Sequence, residues 1–346
     1  MAAQLAASSC DAPYKEDEAV EDLFGFDFNG IVVCDDSEEE SDGDCAPHVP
    51  KRRVGAEIPR VDAASLAPGE FLERFSRRNA PVVLYNCEGV PTHLTVEWWR
   101  QHHGDREVPL DVNTGGAVKA PLRDFLAGKL RTRYLRNLHL GDWFPGAADD
   151  VGLPAVMGEN LLADEERVRG CPRTWRTWLE LFICFEDCAG FPFLHRDICH
   201  THASVSPASS KLRKPFKNPT YRRYSLQIQG SKEFTLFPPD DARYLYVNAQ
   251  AGFSGNRSAV DVRDPDVAKK FPLFQLAARS TVTIGPGDAL FVPDGWWHTA
   301  RCVSEAPSVT LGGNYVDASN YDAFSDAFAD YLAVKALGSV GASFLN

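Results

Sequence analysis

The chain has 346 residues, of which 44% are hydrophobic and 24% charged, and this is enough apolar content for one large or two ordinary globular domains. No apolar run approaches the roughly 18 residues of a membrane span, and the first residues carry no basic, apolar leader, so neither a membrane protein nor a secreted one is expected. The net charge of −12 is local, because residues 1–50 hold 14 acidic side chains against Lys15 alone while the rest of the chain balances at +1. The 9 cysteines are scattered without regular spacing, which suits free thiols in a reducing compartment, cytoplasm or nucleus.

Residues 1–49 read as an acidic disordered tail, too poor in apolar side chains to repay its ordering entropy. Within it the cluster Asp22-Leu23-Phe24-Gly25-Phe26-Asp27-Phe28 either docks on a partner or simply belongs to a solubilising tail. Pro50-Lys51-Arg52-Arg53 is a short match to a nuclear-import signal.

Residues 58–177 form a mixed α/β part. Ser65 is expected to cap a helix over 68–75 that places Phe71, Leu72 and Phe75 on one face. A strand over 81–84 follows, then a helix from Thr95 to His103 stopped by Gly104, and another over 121–127 stopped by Gly128. Over 178–317 the pattern changes to short β-rich runs, expected at 178–186, 191–197, 224–229, 233–237, 280–284, 289–292, 297–303 and 309–316. Turn residues such as Gly285-Pro286-Gly287-Asp288 separate them, as in an all-β barrel or sandwich. The fold class is therefore mainly β with an α/β N-terminal part. Within residues 318–346 a helix over 319–337 shows Tyr321, Phe324, Phe328, Tyr331 and Leu332 on one face, which packs on the barrel or on a second copy in a homodimer.

The chemistry gathers on His195-Arg196-Asp197 and the distant His298. On a strand alternate residues share a face, so His195 and Asp197 point together while Arg196 points away. Two imidazoles and one carboxylate on one side of a metal make the facial triad of non-haem iron(II) oxygenases. Support comes from two blocks on expected strands: Gln229-Gly230-Ser231-Lys232-Glu233-Phe234, and Gly285 to His298 with Pro293-Asp294-Gly295-Trp296-Trp297 before the histidine.

With these blocks in this order, residues 58–335 resemble the jumonji-C branch of the cupin-fold Fe(II)/2-oxoglutarate oxygenases, most of all the small stand-alone hydroxylases. Ile58-Pro59-Arg60-Val61-Asp62 and Tyr134-Leu135-Arg136-Asn137-Leu138-His139-Leu140 belong to the same resemblance. It implies a double-stranded β-helix, iron held by His195, Asp197 and His298, and 2-oxoglutarate and O2 as cosubstrates. It further implies that Lys232 anchors the distal carboxylate of 2-oxoglutarate, with Tyr134, Ser225 and Asn314 at matching positions for cosubstrate contacts. Charge balance agrees for Lys232, since a dianion in a narrow barrel requires a cation at its far end. Pro192 stands where relatives often carry a hydroxyl residue.

The stretch 203–223 holds Lys211, Arg213, Lys214, Lys217, Arg222 and Arg223 and no acid, and it follows directly on the metal-binding strand. Such a loop favours an acidic protein or a nucleic acid as substrate, or else it is a solvated insertion. Lacking reader modules, the chain is expected to hydroxylate a protein side chain; N-methyl demethylation and hydroxylation of tRNA or another nucleic acid are the alternatives within the family. A kinase reading of His195-Arg196-Asp197 fails because His202 stands where the catalytic-loop Asn belongs. A zinc site drawn from Cys184, Cys188, Cys199, His200 and His202 lacks a paired C-x-x-C. A non-catalytic cupin would lack a ligand or the cation, whereas all four residues are present. Trp296, Trp297 and the remaining histidines His93, His102, His103 and His139 read as core or surface groups.

Overall fold

The computed structural model describes residues 53–111, 117–149, 151–163, 169, 179–188, 193–197, 222–247, 257–326 and 328–329. The acidic tail, the aromatic cluster at 22–28, Pro192 and residues 198–221 with most of the basic stretch lie outside them, as do Tyr331 and Leu332. All described residues fall in the unit Arg52–Asn346.

Fourteen strands are described. In chain order they are β1 (Arg60–Asp62), β2 (Val82–Tyr85), β3 (Glu107–Leu110), β4 (Val118–Pro121), β5 (Leu135–His139), β6 (Glu180–Cys184) and β7 (Phe193–His195). There follow β8 (Arg222–Gln229), β9 (Lys232–Phe237), β10 (Arg257–Asp261), β11 (Ser280–Ile284), β12 (Ala289–Val292), β13 (Trp297–Cys302) and β14 (Ser308–Tyr315). They form a seven-stranded sheet in the order β1-β2-β12-β8-β14-β6-β5 and a five-stranded sheet in the order β10-β7-β13-β9-β11, with β3 and β4 as a separate ribbon. Pairing is antiparallel except for β1 with β2. This is the expected jelly-roll, and each of the eight strands expected from 178 onward forms within a few residues of its place.

Alternation divides each sheet into two chemically different faces. On the large sheet Val82, Leu84, Leu135, Leu138, Leu181, Ile183, Tyr224, Leu226, Phe291 and Leu311 share one core with Phe71, Trp99, Phe125 and Phe144 of the N-terminal helical layer. The intervening residues of β8 and β6, among them Arg223, Ser225, Glu180 and Phe182, therefore face the small sheet. On the small sheet Leu194, Phe237, Val260 and Trp297 pack outward in a second core, which turns His195, Leu236 and His298 inward. A third cluster, Ile58, Val83, Phe234, Leu236, Ile284, Leu290 and Val292, closes one half of the interior by joining β2 and β12 to β9 and β11. Among the described residues the polar half lies between β5, β6, β8 and β14 on one side and β10, β7 and β13 on the other.

Local signals explain most of the N-terminal layer. The helix Val96–His103 starts at Thr95, whose hydroxyl accepts the Trp98 amide at 3.3 Å. The helix Leu122–Leu126 ends ahead of Gly128 with φ +82°. Ser65 does not cap a helix over 68–75. Asp62 caps the short turn Ala63–Ser65 by accepting the Ala64 amide at 3.0 Å, and the Ser65 hydroxyl donates to the Asp62 carbonyl at 2.7 Å. Gly69, at φ +79°, then separates that turn from the helical residues that bury Phe71 and Phe75. Gly230 is required for another reason: its φ is +67° and an added Cβ would lie 2.7 Å from the Pro307 carbonyl oxygen, in the corner that passes the chain from β8 to β9. At the other end, the helix that begins at 321 packs Phe324, with Tyr321 and Phe328, on Leu161, Leu162 and Val316, so this part of the aromatic stripe is spent within the chain.

Arg222 corrects the sequence reading of the basic stretch. It is the first residue of β8, buried, with its guanidinium 3.0 Å from Asp294 and 2.7 Å from Asp317 and donating to the Ser76 carbonyl at 3.1 Å. It joins the loop before β13, the start of β8 and the segment after β14. Removing one partner of a buried ion pair costs about 3–5 kcal/mol. Arg222→Met is accordingly expected to lower the free energy of urea unfolding by about 3 kcal/mol, and a loss under about 1 kcal/mol would show that the network is only decorative.

Candidate active site

The inward row of the small sheet carries the metal-binding types. His298 of β13 lies directly opposite His195 of β7, and their ring centroids are 4.5 Å apart. Asp197 follows two residues after His195, and the donor atoms of His195, Asp197 and His298 all lie within 4.8 Å of one another. His298 Nε2 is 3.4 Å from Asp197 Oδ2. Two ligands at right angles on an ion with bonds of about 2.1 Å stand about 3 Å apart, so this spacing fits a shared divalent ion. His298 Nδ1 lies 3.2 Å from the Trp296 carbonyl. A proton held there leaves the Nε2 lone pair directed at the site. Burial pushes the His298 imidazole below its usual pKa, against the pull of Asp197, which favours the neutral form that a metal requires. Among the described residues no other group of three His, Cys, Asp or Glu side chains converges in this way. The donor set is thus compatible with iron(II).

The other oxygen of Asp197 has its own partner. Arg223 Nη1 lies 3.4 Å from Asp197 Oδ1, and Nη2 lies 3.0 Å from Glu180 Oε2. Asn137 Nδ2 donates to the same Glu180 at 3.3 Å. The guanidinium lies largely buried over the Phe182 ring at 5.2 Å; burial opposes its charge, but Asp197 and Glu180 raise its pKa on balance. One carboxylate oxygen thus faces the histidine while the other is held by a permanent cation. Arg223 is a second correction to the basic stretch: it points into the barrel as a paired residue, and of the six charges only Lys211, Arg213, Lys214 and Lys217 remain, outside the described residues.

Lys232 lies one layer deeper. It is the first residue of β9, opposite Cys302 of β13 and Ile284 of β11, and its Nζ stands 5.7 Å from the Phe182 ring centroid and 5.9 Å from that of Tyr134. Burial pulls its pKa down, and no carboxylate pairs with it among the described residues. A buried ammonium without a carboxylate beside it is chemically suited to an anion, and the two aromatic faces stabilise its charge. Tyr134 packs against Cys184, Cys188 and Cys302 beneath it, and burial drives the phenol pKa well up, so it stays a neutral donor. Of the four cosubstrate positions, Tyr134 and Lys232 are brought together. Asn314 lies opposite Arg223, in the upper layer. Ser225 faces the same interior across from Gly312 and Leu290, and among the described residues no hydrogen bond joins it to Lys232. Cys199, His200 and His202, which a zinc site would need, lie outside the described residues. Trp297 is fully buried, and Trp296 donates its indole N–H to the Asn79 carbonyl at 2.9 Å, so both are structural.

Sequence reasoning missed Arg223 and Glu180. Arg223 alternates with Ser225 and would have been found had the strand been started one residue earlier. Glu180 alternates with Phe182 and Cys184 in the same way, but an acid in an apolar strand gives no signal until its partner is known. Asp197→Ala is expected to abolish Mn(II) binding followed by electron paramagnetic resonance, and Arg223→Met to weaken it about 10- to 100-fold, the range for a residue that orients a ligand. Full affinity in Asp197→Ala would remove the triad.

Comparison with known proteins places this geometry in a family. The family model described as a cupin-like domain matches residues 127–321. The tRNA wybutosine-synthesizing protein 5 of Mus musculus is 34% identical over 271 residues, 77% of this chain and 80% of that protein. The Gallus gallus protein of the same name is 29% identical over 282 residues, again 77% of this chain and 81% of the other. HSPB1-associated protein 1 of Rattus norvegicus is 47% identical, but over 73 residues that make up 21% of this chain and only 15% of that protein. With the jelly-roll in hand and more than half of the chain matched, this chain belongs to the cupin-like domain family.

Proposed function

We propose that the chain is an iron(II)- and 2-oxoglutarate-dependent hydroxylase whose substrate is a nucleoside of tRNA. The observation that carries the reading is the combination, inside one barrel, of a three-donor triad with a buried, carboxylate-free cation one layer below it. The choice of tRNA over a protein side chain follows the relatives that span three-quarters of the chain, which are named for tRNA wybutosine synthesis.

His195, Asp197 and His298 would hold the iron, leaving its other face open to the polar half of the barrel. When bound, iron(II) with 2-oxoglutarate supplies the oxidising chemistry that inserts one atom of O2 into a C–H bond as 2-oxoglutarate loses carbon dioxide to become succinate. The chain's own residues bind, orient and exclude. Lys232 takes the distal carboxylate, with the Tyr134 hydroxyl as a neutral donor beside it. Arg223 fixes the rotamer of Asp197, so that one oxygen is presented while the other is engaged. The apolar half, from Ile58 to Val292, keeps water from the reacting centre. Charge also closes: a divalent ion, one ligand carboxylate, a dianionic cosubstrate and the Lys232 ammonium cancel, and Arg223 cancels Glu180. A dry interior carries such a set at far lower cost than one with net charge.

Anaerobic addition of iron(II) and 2-oxoglutarate is expected to give a visible charge-transfer band. Lys232→Ala should raise the 2-oxoglutarate concentration needed for it by about a hundredfold while iron binding holds within a few-fold. Equal loss of both would make Lys232 structural. Incubation with tRNA, O2 and both cofactors should add one oxygen atom to a nucleoside; loss of a methylene in its place would mean demethylation, and turnover on protein alone would return the substrate to a side chain.

A further inference from the structure

The thiols beneath Lys232 take no part in the proposed reaction. Cys184, Cys188 and Cys302 carry no disulfide and are buried together in one cluster against Tyr134. Two of the three come from opposite walls of the barrel. Cys184 ends β6 of the large sheet, two residues beyond Phe182 on the same inward face. Cys302 ends β13 of the small sheet, four residues after His298 and directly opposite Lys232. Their sulfurs meet across the interior in a thiol–thiol hydrogen bond within the cluster.

The pair is unequal in the way a reactive thiol and its resolving partner are. The hydrogen bond from Cys184 lowers the Cys302 pKa, against burial, and the same bond raises that of Cys184. Cys302 Sγ also lies 3.5 Å from the Ser304 carbonyl oxygen and 3.8 Å from that of Ala306, in the turn that follows β13. Glu305 and Ala306 are exposed, so only that turn separates this sulfur from solvent. Cys87 is unlike them. It packs elsewhere, and burial with the charge of Asp288 pushes its pKa up to about 12.

We infer that Cys184 and Cys302 are a peroxide-sensitive pair whose disulfide shuts the cosubstrate pocket at Lys232. The role of that pocket rests on the proposed hydroxylase reading; the chemistry of the pair does not. The Cys302 sulfur attacks one oxygen of hydrogen peroxide and the O–O bond breaks. The departing hydroxide leaves as water with the proton of the Cys302 thiol, and Cys302 becomes a sulfenic acid. The Cys184 sulfur then attacks the Cys302 sulfur, the S–O bond breaks, and a second water leaves with the Cys184 proton. Each sulfur gives up one electron, and peroxide takes both. A disulfide holds its sulfurs about 2 Å apart, well inside hydrogen-bond distance, so closing it draws the end of β6 toward the end of β13. Lys232 is paired with Cys302, and its ammonium stands over Phe182 of β6, so both walls of its pocket shift together. A preorganised site holds its groups within about 0.5 Å, and a displacement of this size weakens it. In a reducing compartment such a bond is transient, which suits a sensor.

The test treats the metal-free full chain with hydrogen peroxide, alkylates the remaining thiols and maps chymotryptic peptides by mass spectrometry. Cleavage after Phe185 separates Cys184 from Cys188. The map should show Cys184 joined to Cys302 with the loss of two hydrogens, and Cys87 alkylated. Iron(II) is then added anaerobically and 2-oxoglutarate titrated through the charge-transfer band. The oxidised chain should need about tenfold more 2-oxoglutarate, with Mn(II) affinity held within a few-fold, and dithiothreitol followed by its removal should restore the first value. Cys302→Ser and Cys184→Ala should bind 2-oxoglutarate as the unaltered chain does and lose the response to peroxide. The map of the unaltered chain decides the linkage even where a variant fails to fold. Alkylated Cys184 and Cys302 after peroxide, or a disulfide from Cys302 to any other cysteine, overturns the proposal. So does a disulfide between Cys184 and Cys302 that leaves 2-oxoglutarate binding within twofold, or a peroxide response that persists in both variants. Failure of the hydroxylase reading is separate: it appears as absence of the band in the reduced, unaltered chain and removes the coupling, while the peptide map still decides the disulfide.

Discussion

The two-residue alternation of the large sheet, kept through its central strands and interrupted in β5, is the constraint on which the rest of the molecule depends. One face of β2, β12, β8, β14, β6 and β5 is covered by the N-terminal layer through Phe71, Trp99, Phe125 and Phe144, and this burial supplies most of the hydrophobic stabilisation. The other face is thereby relieved of core duty. It can carry Arg223, Glu180 and Asn314 in one layer, with Tyr134 and Cys184 of the large sheet and Lys232 of the small one in the next, and still belong to a stable sheet. A slip of one residue in any of these strands would exchange the two faces and put charges into the core.

The interior is organised by how each charge is compensated. Asp197 and Glu180 share Arg223, so the triad carboxylate is fixed before any ion arrives. Lys232 has aromatic faces and thiols around it in place of a carboxylate, and the hydrogen bond between Cys184 and Cys302 lowers the pKa of the Cys302 thiol while that of Cys184 rises. Arg222, one residue before Arg223 and pointing the opposite way, is matched to Asp294 and Asp317 on the outside of the barrel. Two adjacent arginines, indistinguishable by composition, thus serve stability and the site respectively because a strand alternates.

That distinction marks the limit of what the sequence makes legible. The β-rich run of eight strands, the helix capped by Thr95 and the approach of His195, Asp197 and His298 can all be read from local pattern, since period, capping chemistry and turn residues are local properties. Lys232, Phe234 and Leu236 can be placed on one face for the same reason. Strands β1, β3, β4, β5 and β10 are not legible: they are short, and in β5 the left-handed Asn137 breaks the alternation that would announce it. The pairing of Arg223 with Glu180, 43 residues apart, depends on tertiary contact alone. Charge without register places Arg222 and Arg223 in one basic loop, whereas the strand sends them to opposite faces.

The central claim is that the polar half of this barrel is a divalent-metal centre made by nitrogen and oxygen donors, separate from the thiols beneath it. X-ray absorption of the iron(II)-loaded protein tests this most directly. The account predicts a first shell of nitrogen and oxygen with the scattering pattern of two imidazoles and no sulfur. A sulfur distance in that shell would place the metal among Cys184, Cys188 and Cys302 and contradict it.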